Sequence, residues 1–150
     1  MKNTDLSKYD KISFSKGNFV KRCLWYCINT IFFKSDWFPL SIIKVNILRL
    51  FGSKIGRGVV IKPSVNIKYP WNLIIGNYVW IGEDVWIDNL VLVTISNNSC
   101  ISQGAMLLCG NHDFSSSTFD LITKPIYLEN GVWVGAKSIV CPGVKIYSHA

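Results

Sequence analysis

With 150 residues, of which 49% are hydrophobic and 17% charged, the chain is long enough for one domain with its own core and too apolar to be disordered. Its net charge of +7 is uneven, because the first 62 residues hold twelve Lys or Arg against three Asp, whereas the remainder holds four basic and six acidic residues. The basic segment is interpreted as a solvated face, with contact to anionic lipid or nucleic acid as the alternative. The remainder carries no nucleic-acid-binding motif, and we expect no nucleic-acid partner.

The five cysteines are odd in number and form no CxxC pair, which predicts free thiols in a reducing compartment and a cytoplasmic protein. Cys23 and Cys27 lie four residues apart, as one helix face would place them, and no histidine accompanies them. We therefore expect these two to pack in the core rather than bind a metal. The polar start MKNTDLSKYD shows no signal peptide, and no apolar run reaches the roughly 18 to 20 residues of a membrane span.

The N-terminal segment, residues 1–51, is predicted to be helical. Apolar residues recur at spacings of three and four over 19–33 and again over 40–51, with Pro39 between the two stretches and Gly52 after the second. We favour the interpretation that the many aromatic residues of the first stretch cap the open end of the following domain or contact a neighbouring subunit. The alternative is an amphipathic element that lies on a membrane, which would make the protein membrane-peripheral.

From residue 52 to residue 150 the chain repeats with a period of six. The fourth residue after each anchor of the repeat is mostly aliphatic or small, and glycine often follows the anchor directly. A short fixed period of this kind is the sign of a solenoid. The anchors are Ile55, Ile61, Ile67, Ile75, Ile81, Ile87, Ile95, Ile101, Leu107, Leu128, Val134, Val140 and Ile146.

A period of six fits neither an α-helix nor a hairpin ladder. We predict a mainly β fold in which the chain forms a short strand and a sharp corner every six residues, with three strands to a triangular coil. Each anchor then points into the prism, and small residues at the corners tolerate positive φ angles. Parallel coils stack about 4.8 Å apart and bury their aliphatic residues against one another. The eight-residue steps after Ile67 and Ile87 add two residues at a corner, where they can bulge outward.

The sequence resembles the hexapeptide-repeat acyltransferases, whose fold is a left-handed parallel β-helix. The resemblance is closest to the sugar acetyltransferases of exopolysaccharide synthesis, such as the colanic acid biosynthesis acetyltransferases. It is carried by FGSKIGRGVVIKPSVNI, YPWNLIIGNYVWIGEDVWIDNL, ISQG, GNHDFSSSTFDLITKPI and GVWVGAKSIVCPGVKI, which cover nearly all of residues 50–146. It implies an enzyme that transfers acetyl from acetyl-CoA to a sugar hydroxyl of a polysaccharide precursor without a metal. It also implies a homotrimer with its active site between neighbouring prisms.

The repeat is suspended between Leu107 and Leu128, where residues 109–127 leave the prism as an excursion loop with His112 at its root. Such long excursions from a compact repeat are usually functional. A sugar hydroxyl is a weak nucleophile, and an imidazole can take its proton as it attacks a thioester. The resemblance implies that His112 is this general base and that the acetyl group passes directly to the acceptor in a ternary complex. The second histidine, His149, has no supporting motif.

Four residues are candidates for contact with the acceptor. Asn111 and Asp113 flank His112 and either orient its ring, touch the acceptor or only form a turn. Asp88 and Asn89 lie one coil earlier in the motif WIDNL, which resembles the family's acceptor-binding side. For this pair a structural role at the corner is the alternative.

The predicted CoA site is formed by Trp133, Gly135 and Ala136 in VWVGA, which match the strip along which the family lays the pantetheine arm. Small residues there would let the arm run close to the backbone, and Trp133 would form a wall. The alternative is that all three residues are ordinary positions of the repeat, one of which is an exposed aromatic. No metal is expected, since a zinc hydratase on this fold would need about three histidine ligands and the chain has two histidines.

The chain stops at KIYSHA, in the middle of a hexapeptide, whereas members of this branch continue for further coils that contribute to the CoA site. We therefore expect a C-terminal truncation. It makes a truncated, non-catalytic β-helix or assembly module the alternative function, because the repeat would persist without the chemistry.

Overall fold

The computed structural model describes residues 3–9 and 16–150, with a helical segment in front of a mainly β domain. The helices are α1 (Phe19–Ile28), which a π-helical turn (Asn29–Phe33) extends, and α2 (Ser41–Leu50); 3-10 turns cover Leu6–Lys8 and Pro70–Asn72. The strands are β1 (Lys54–Ile55), β2 (Val60–Ile61), β3 (Asn66–Ile67), β4 (Leu73–Ile75), β5 (Trp80–Ile81), β6 (Trp86–Asp88), β7 (Val93–Ile95), β8 (Cys100–Ile101), β9 (Met106–Leu108), β10 (Gly110–His112), β11 (Leu121–Thr123), β12 (Ile126–Leu128), β13 (Trp133–Val134), β14 (Ile139–Val140) and β15 (Lys145–Ile146).

Apart from the pair β10–β11, the strands stack as three parallel sheets, which are the three faces of a prism. The first face has the order β1-β4-β7-β12-β15, the second β2-β5-β8-β13 and the third β3-β6-β9-β14. Anchor pairs with anchor from coil to coil, as Ile55 does with Ile75 and Ile75 with Ile95 on the first face. The chain therefore folds as the predicted parallel β-helix of hexapeptide repeats.

The core of the prism consists of the anchors and of the residues four positions after them. Every anchor from Ile61 to Val140 is buried. Each such aliphatic side chain contributes about 1.5–3 kcal/mol by leaving water. The buried residues at the second position are Val59, Val65, Val79, Val85, Ser99, Ala105 and Val132.

Two of the three corners use left-handed backbone in each of the first three coils, and all three corners do so in the last coil, where Gly143 has a φ of 80°. The expectation of small residues there is only partly right, because Tyr78 and Lys137 are large and still have φ values of 56° and 58°. A hydrogen bond to the neighbouring coil offsets the strain in both cases: Tyr78 N donates to Arg57 O at 2.8 Å, and Lys137 N donates to Gln103 O at 3.0 Å. The other corner residues with positive φ are Gly58, Ser64, Asp84, Asn98, Gly104, Gly131, Gly143 and His149.

The corner between the third and first faces differs from the other two. Both eight-residue steps fall on it, after β3 and after β6, and the excursion leaves from the same corner after β9. The excursion is an antiparallel hairpin of β10 and β11, in which His112 is paired with Leu121. One side of the prism therefore carries all the inserted residues and the histidine.

The two helices close the end of the prism at its first coil. Trp25 is buried, and its indole Nε1 donates to the carbonyl oxygen of Ile67 at 2.8 Å. Its ring lies 5.2 Å from the rings of both Phe33 and Phe51. Part of the aromatic set of α1 thus caps the open end of the β-helix, as expected.

The prediction that Cys23 and Cys27 pack in the core is wrong, because both are exposed. The reason is the rotation of α1, which directs Trp25 and Asn29 toward the first coil and leaves the cysteine side outward. All five cysteines are free. Within the described residues, no helix is both long and apolar enough to cross a bilayer.

Candidate active site

His112 stands at the end of β10, and its ring is held by a residue of the same hairpin. Nδ1 lies 2.9 Å from the carbonyl oxygen of Phe119, and the imidazole is stacked on the Phe119 ring with centroids 4.4 Å apart. A carbonyl can only accept a hydrogen bond, so in the neutral imidazole the proton is on Nδ1 and the lone pair is on Nε2. The ring of Tyr9 lies 5.7 Å from the imidazole.

A pocket of about 380 Å³ opens at the corner where His112 stands. Asp88 and Lys68 line it from the two preceding coils, and Tyr9 lines it from the N-terminal segment. That segment is tied to the hairpin, because Asp5 N donates to Ser117 O at 2.7 Å. The pocket is thus built from three parts of the chain that are far apart in sequence.

Asp88 lies at the same pocket as His112, and its contact with the acceptor stays a prediction. The Asp88 carboxylate forms an ion pair with Lys68 Nζ at 2.8 Å. Its side chain is only 15% exposed. The pair supplies one hydrogen-bond acceptor and one donor near the histidine, a combination that suits the hydroxyl groups of a sugar.

Asn89, the neighbour of Asp88, lies behind the pocket wall. Its side chain is fully buried, and both amide atoms are bonded to backbone groups. Oδ1 accepts from Tyr69 N at 3.0 Å, while Nδ2 donates to the carbonyl oxygens of Tyr69 at 2.6 Å and Asn72 at 3.2 Å. The arrangement corresponds to the structural alternative, in which Asn89 holds the corner, and contact with the acceptor stays a prediction.

Asn111 and Asp113 form local hydrogen bonds in the hairpin. Asn111 Oδ1 accepts from His112 N at 2.8 Å, and Asp113 Oδ1 accepts from the Ser115 backbone N–H at 2.9 Å and hydroxyl at 2.5 Å. The hydrogen bonds from Ser115 lower the pKa of Asp113. Neither side chain lines the His112 pocket, so the turn chemistry is observed and the acceptor contact stays a prediction.

The predicted CoA strip lies elsewhere on the same chain. Trp133 is on the second face, in β13, with Gly135 and Ala136 at the corner that follows, whereas His112 stands at the corner between the third and first faces. Trp133 is 70% exposed, and its Nε1 donates to Ser102 Oγ at 2.8 Å. A single chain therefore does not bring the strip and the histidine to one corner.

No cluster of three or more His, Cys, Asp or Glu suited to a metal ion occurs among residues 3–9 and 16–150. The cysteine nearest to His112 in sequence, Cys109, is buried, and burial raises the pKa of its thiol to about 11. It stays protonated at neutral pH, which makes it a core residue and not a nucleophile.

Four residues of the pocket that carry functional groups were not predicted from the sequence: Tyr9, Lys16, Lys68 and Tyr69. Lys68 follows its anchor as Asp88 follows the anchor twenty residues later, and β3 pairs with β6, so comparison of successive coils could have found it. For Tyr9 no signal exists in the sequence, because its contact with His112 depends on the path of the N-terminal segment.

No protein-family model matches the chain. Over 135 residues the chain is 41% identical to WcaF of Escherichia coli strain K12, whose name describes a colanic acid biosynthesis acetyltransferase; the match covers 89% of this chain and 73% of that protein. The hexapeptide-repeat acetyltransferase VCA0836 of Vibrio cholerae O1 biovar eltor, solved with acetyl coenzyme A, superposes with a TM-score of 0.74 at 18% identity, covering 87% of this chain and 71% of that one. A galactoside acetyltransferase solved with coenzyme A superposes with a TM-score of 0.73 at 22% identity, and the match covers 91% of this chain and 70% of that one.

Proposed function

The chain belongs to the colanic acid biosynthesis branch of the hexapeptide-repeat acetyltransferases, a family of left-handed β-helix acyltransferases, and on this premise we propose that it transfers acetyl from acetyl-CoA to a sugar hydroxyl of a polysaccharide precursor. Its 41% identity to WcaF supports the acetyl donor and the glycan acceptor. The observation that carries the chemistry is the Nδ1 contact of His112, since it leaves Nε2 free to accept a proton beside a pocket.

In this proposal His112 acts as the general base. Nε2 takes the hydroxyl proton while the sugar oxygen forms its bond to the acetyl carbon, and it returns the proton to the sulfur as the carbon–sulfur bond breaks. Backbone N–H groups at a coil corner are the proposed donors to the oxyanion. No cysteine takes part, because transfer is direct.

We propose a homotrimer as the active form. Trp133, Gly135 and Ala136 would hold the pantetheine arm, and in one chain they lie at a different corner from His112. A site that contains both therefore needs a second chain. Two exposed tryptophans on the second face, Trp80 and Trp133, support burial of that face against a neighbour.

Acetyl-CoA binding tests the proposal without knowledge of the acceptor. Acetyl-CoA is titrated by calorimetry into the unmodified protein and into the variants Trp133→Ala and Trp37→Ala. Trp37 is the matched control, because it is also an exposed tryptophan but lies in the N-terminal segment, outside the three faces of the prism. We expect Trp133→Ala to weaken binding about tenfold and Trp37→Ala to leave it within about twofold. Absence of binding to the unmodified protein would favour the non-catalytic assembly module.

We place the protein in the cytoplasm, at a membrane surface. The free cysteines support the reducing compartment. The exposed positions of α1 and its π-helical turn support the surface contact, because all of them are uncharged: Phe19, Val20, Cys23, Leu24, Tyr26, Cys27, Thr30 and Ile31. We call this set the α1 outer face.

The charges beside the α1 outer face favour an anionic membrane over a second copy of the chain. Lys21, Arg22 and Lys34 flank it, and none of them forms an ion pair with a carboxylate among the described residues. Pairing of two such faces would bring like charges together, whereas anionic lipid attracts them. The aromatic side chains of Phe19 and Tyr26 suit the interface between lipid and water.

A further inference from the structure

A second cavity of about 330 Å³ adjoins the His112 pocket on the side of α1. Lys68 and Tyr69 line both cavities, so the two share a wall. Its volume lies in the range of about 300–1,000 Å³ that small-molecule sites occupy. The proposed reaction at His112 makes no use of this cavity.

The lining of the second cavity is cationic. Arg22, Lys34 and Lys68 contribute to it, and no carboxylate does. Lys68 is paired with Asp88, whereas Arg22 and Lys34 form no ion pair with any carboxylate in the described part of the chain. The Nε of Arg22 is buried without a hydrogen-bond acceptor among residues 3–9 and 16–150. A buried guanidinium N–H without an acceptor is costly, so an anionic ligand would stabilise this site.

Asn29 adds a neutral polar group to the same lining. It is 7% exposed, and its Nδ2 donates to Asn66 Oδ1 at 2.9 Å. Its Oδ1 is buried and accepts no hydrogen bond from any described residue. The cavity therefore offers one unsatisfied donor, Arg22 Nε, and one unsatisfied acceptor, Asn29 Oδ1. An anionic group next to a hydroxyl would satisfy both.

We propose that the second cavity binds a phosphate group of the acceptor, which is thus a phosphorylated sugar. This inference rests on the proposed acetyltransferase function. Arg22 and Lys34 bind the phosphate, because a guanidinium matches its oxygens in a bidentate way and an ammonium adds a second charge. Asn29 accepts from a sugar hydroxyl. The sugar extends past Lys68 and Tyr69, and the hydroxyl that is acetylated reaches His112.

The experiment measures the affinity of glucose 1-phosphate, glucuronic acid and glucose by calorimetry. The proteins are the unmodified chain, Arg22→Gln, Lys34→Gln and Lys54→Gln; the last is the control, because Lys54 is exposed on β1 and lies outside the cavity. We expect glucose 1-phosphate to bind the unmodified chain at least about tenfold more tightly than glucose. Arg22→Gln and Lys34→Gln should each remove most of that preference, and Lys54→Gln should keep it.

Three outcomes would overturn the inference: equal affinity for glucose and glucose 1-phosphate, tighter binding of glucuronic acid than of the phosphate, or an equal loss in the Lys54→Gln control. Arg22 is partly buried, and Lys34→Gln provides an independent test if Arg22→Gln unfolds. Acetyl-CoA is titrated into the same samples. If acetyl-CoA binds but the phosphate preference is absent, only the phosphate site is refuted. If the unmodified chain does not bind acetyl-CoA at all, the proposed function is refuted.

Discussion

The imidazole Nδ1 of His112 lies 2.9 Å from the carbonyl oxygen of Phe119, and the two rings are stacked within 6° of parallel. Phe119 adopts a left-handed backbone conformation with φ of 53°, which a residue with a bulky side chain seldom takes. The strained turn therefore places both the carbonyl that holds the proton of Nδ1 and the ring that holds the imidazole plane. These two contacts therefore orient the imidazole that we propose as the general base.

His112→Ala should lower kcat by about 10² to 10⁴, the usual contribution of a positioned general base, and leave acetyl-CoA affinity nearly unchanged. Turnover is measured as release of CoA thiol with a sugar acceptor, and affinity by calorimetry. His149→Ala is the control, because His149 is the other histidine and is exposed. Near-normal turnover of His112→Ala would remove this residue from the mechanism.

Phe119→Ala should lower kcat less than His112→Ala, by about tenfold, because the base remains but its ring is free to rotate. The ¹⁵N chemical shifts of the imidazole report the tautomer directly, and we expect the unmodified protein to carry the proton on Nδ1. In Phe119→Ala the two ring nitrogens should become more alike. Phe114→Ala is the control, since Phe114 lies in the same hairpin and is exposed. Unchanged shifts in Phe119→Ala would show that the backbone carbonyl of residue 119 holds the tautomer without the stacked ring.

Asn89→Ala should lower the free energy of unfolding by about 1–3 kcal/mol, because it removes the three hydrogen bonds that the buried Asn89 amide forms with the backbone of Tyr69 and Asn72. Urea denaturation measures the change. Asn46→Ala is the control: Asn46 is exposed on α2, and its substitution should change stability by less than about 0.5 kcal/mol. Unchanged stability of Asn89→Ala together with a raised acceptor KM would instead assign the residue to acceptor binding.

Because of Lys44, we expect the free energy of unfolding to rise with pH. Its side chain is buried, donates to Lys62 O at 2.8 Å, and has its pKa lowered by burial from 10.5 to about 8. Between these two values the unfolded chain binds more protons than the folded one, so the free energy of unfolding increases as pH rises from about 8 toward 10.5. As pH falls through about 8 this contribution is lost.

Lys44→Met should flatten this part of the pH profile, which is measured as the urea midpoint at pH 7, 8, 9 and 10. Lys54→Met is the control, because Lys54 is exposed, and it should show the same rise as the unmodified protein. Parallel profiles for the unmodified protein and Lys44→Met would show that Lys44 is not the titrating group.

Leu24→Asp should abolish binding of the protein to vesicles that contain phosphatidylglycerol, because it places a negative charge in the α1 outer face. Cosedimentation measures the binding, which should weaken with added salt and with neutral phosphatidylcholine vesicles. Phe114→Asp is the control, since it adds the same charge at an exposed phenylalanine outside this face. If the unmodified protein does not bind vesicles, and Leu24→Asp abolishes its self-association, the α1 outer face contacts a neighbouring subunit instead.

The period of six was sufficient to predict the β-helix. Every coil repeats the same local relation between a strand, an inward aliphatic residue and a corner, so sequence neighbours alone determine it. The excursion that holds His112 was predictable for the same reason, because an interruption is visible wherever a repeat is regular. The two helices also follow from local spacing, and their observed bounds differ from the predicted ones by about a turn or less.

Contacts between distant parts of the chain were decided only by the tertiary structure. The sequence placed Cys23 and Cys27 on one face of α1, but the fit of Trp25 to the first coil turned that face outward. The sequence also puts Asp88 and Asn89 next to each other in one motif. Because successive side chains along a coil alternate in direction, Asp88 faces the pocket and Asn89 faces the backbone behind it.

The approach of Tyr9 to His112 and the cavity shared by Arg22, Lys34 and Lys68 join residues that no local pattern relates. The physical reason is that a periodic sequence specifies the geometry of each coil with respect to the next, while the path of a non-repeating segment over the prism depends on packing between surfaces far apart in the chain. The sequence by itself therefore determined the β-helix and the position of the histidine, and only the tertiary structure decided what surrounds that histidine.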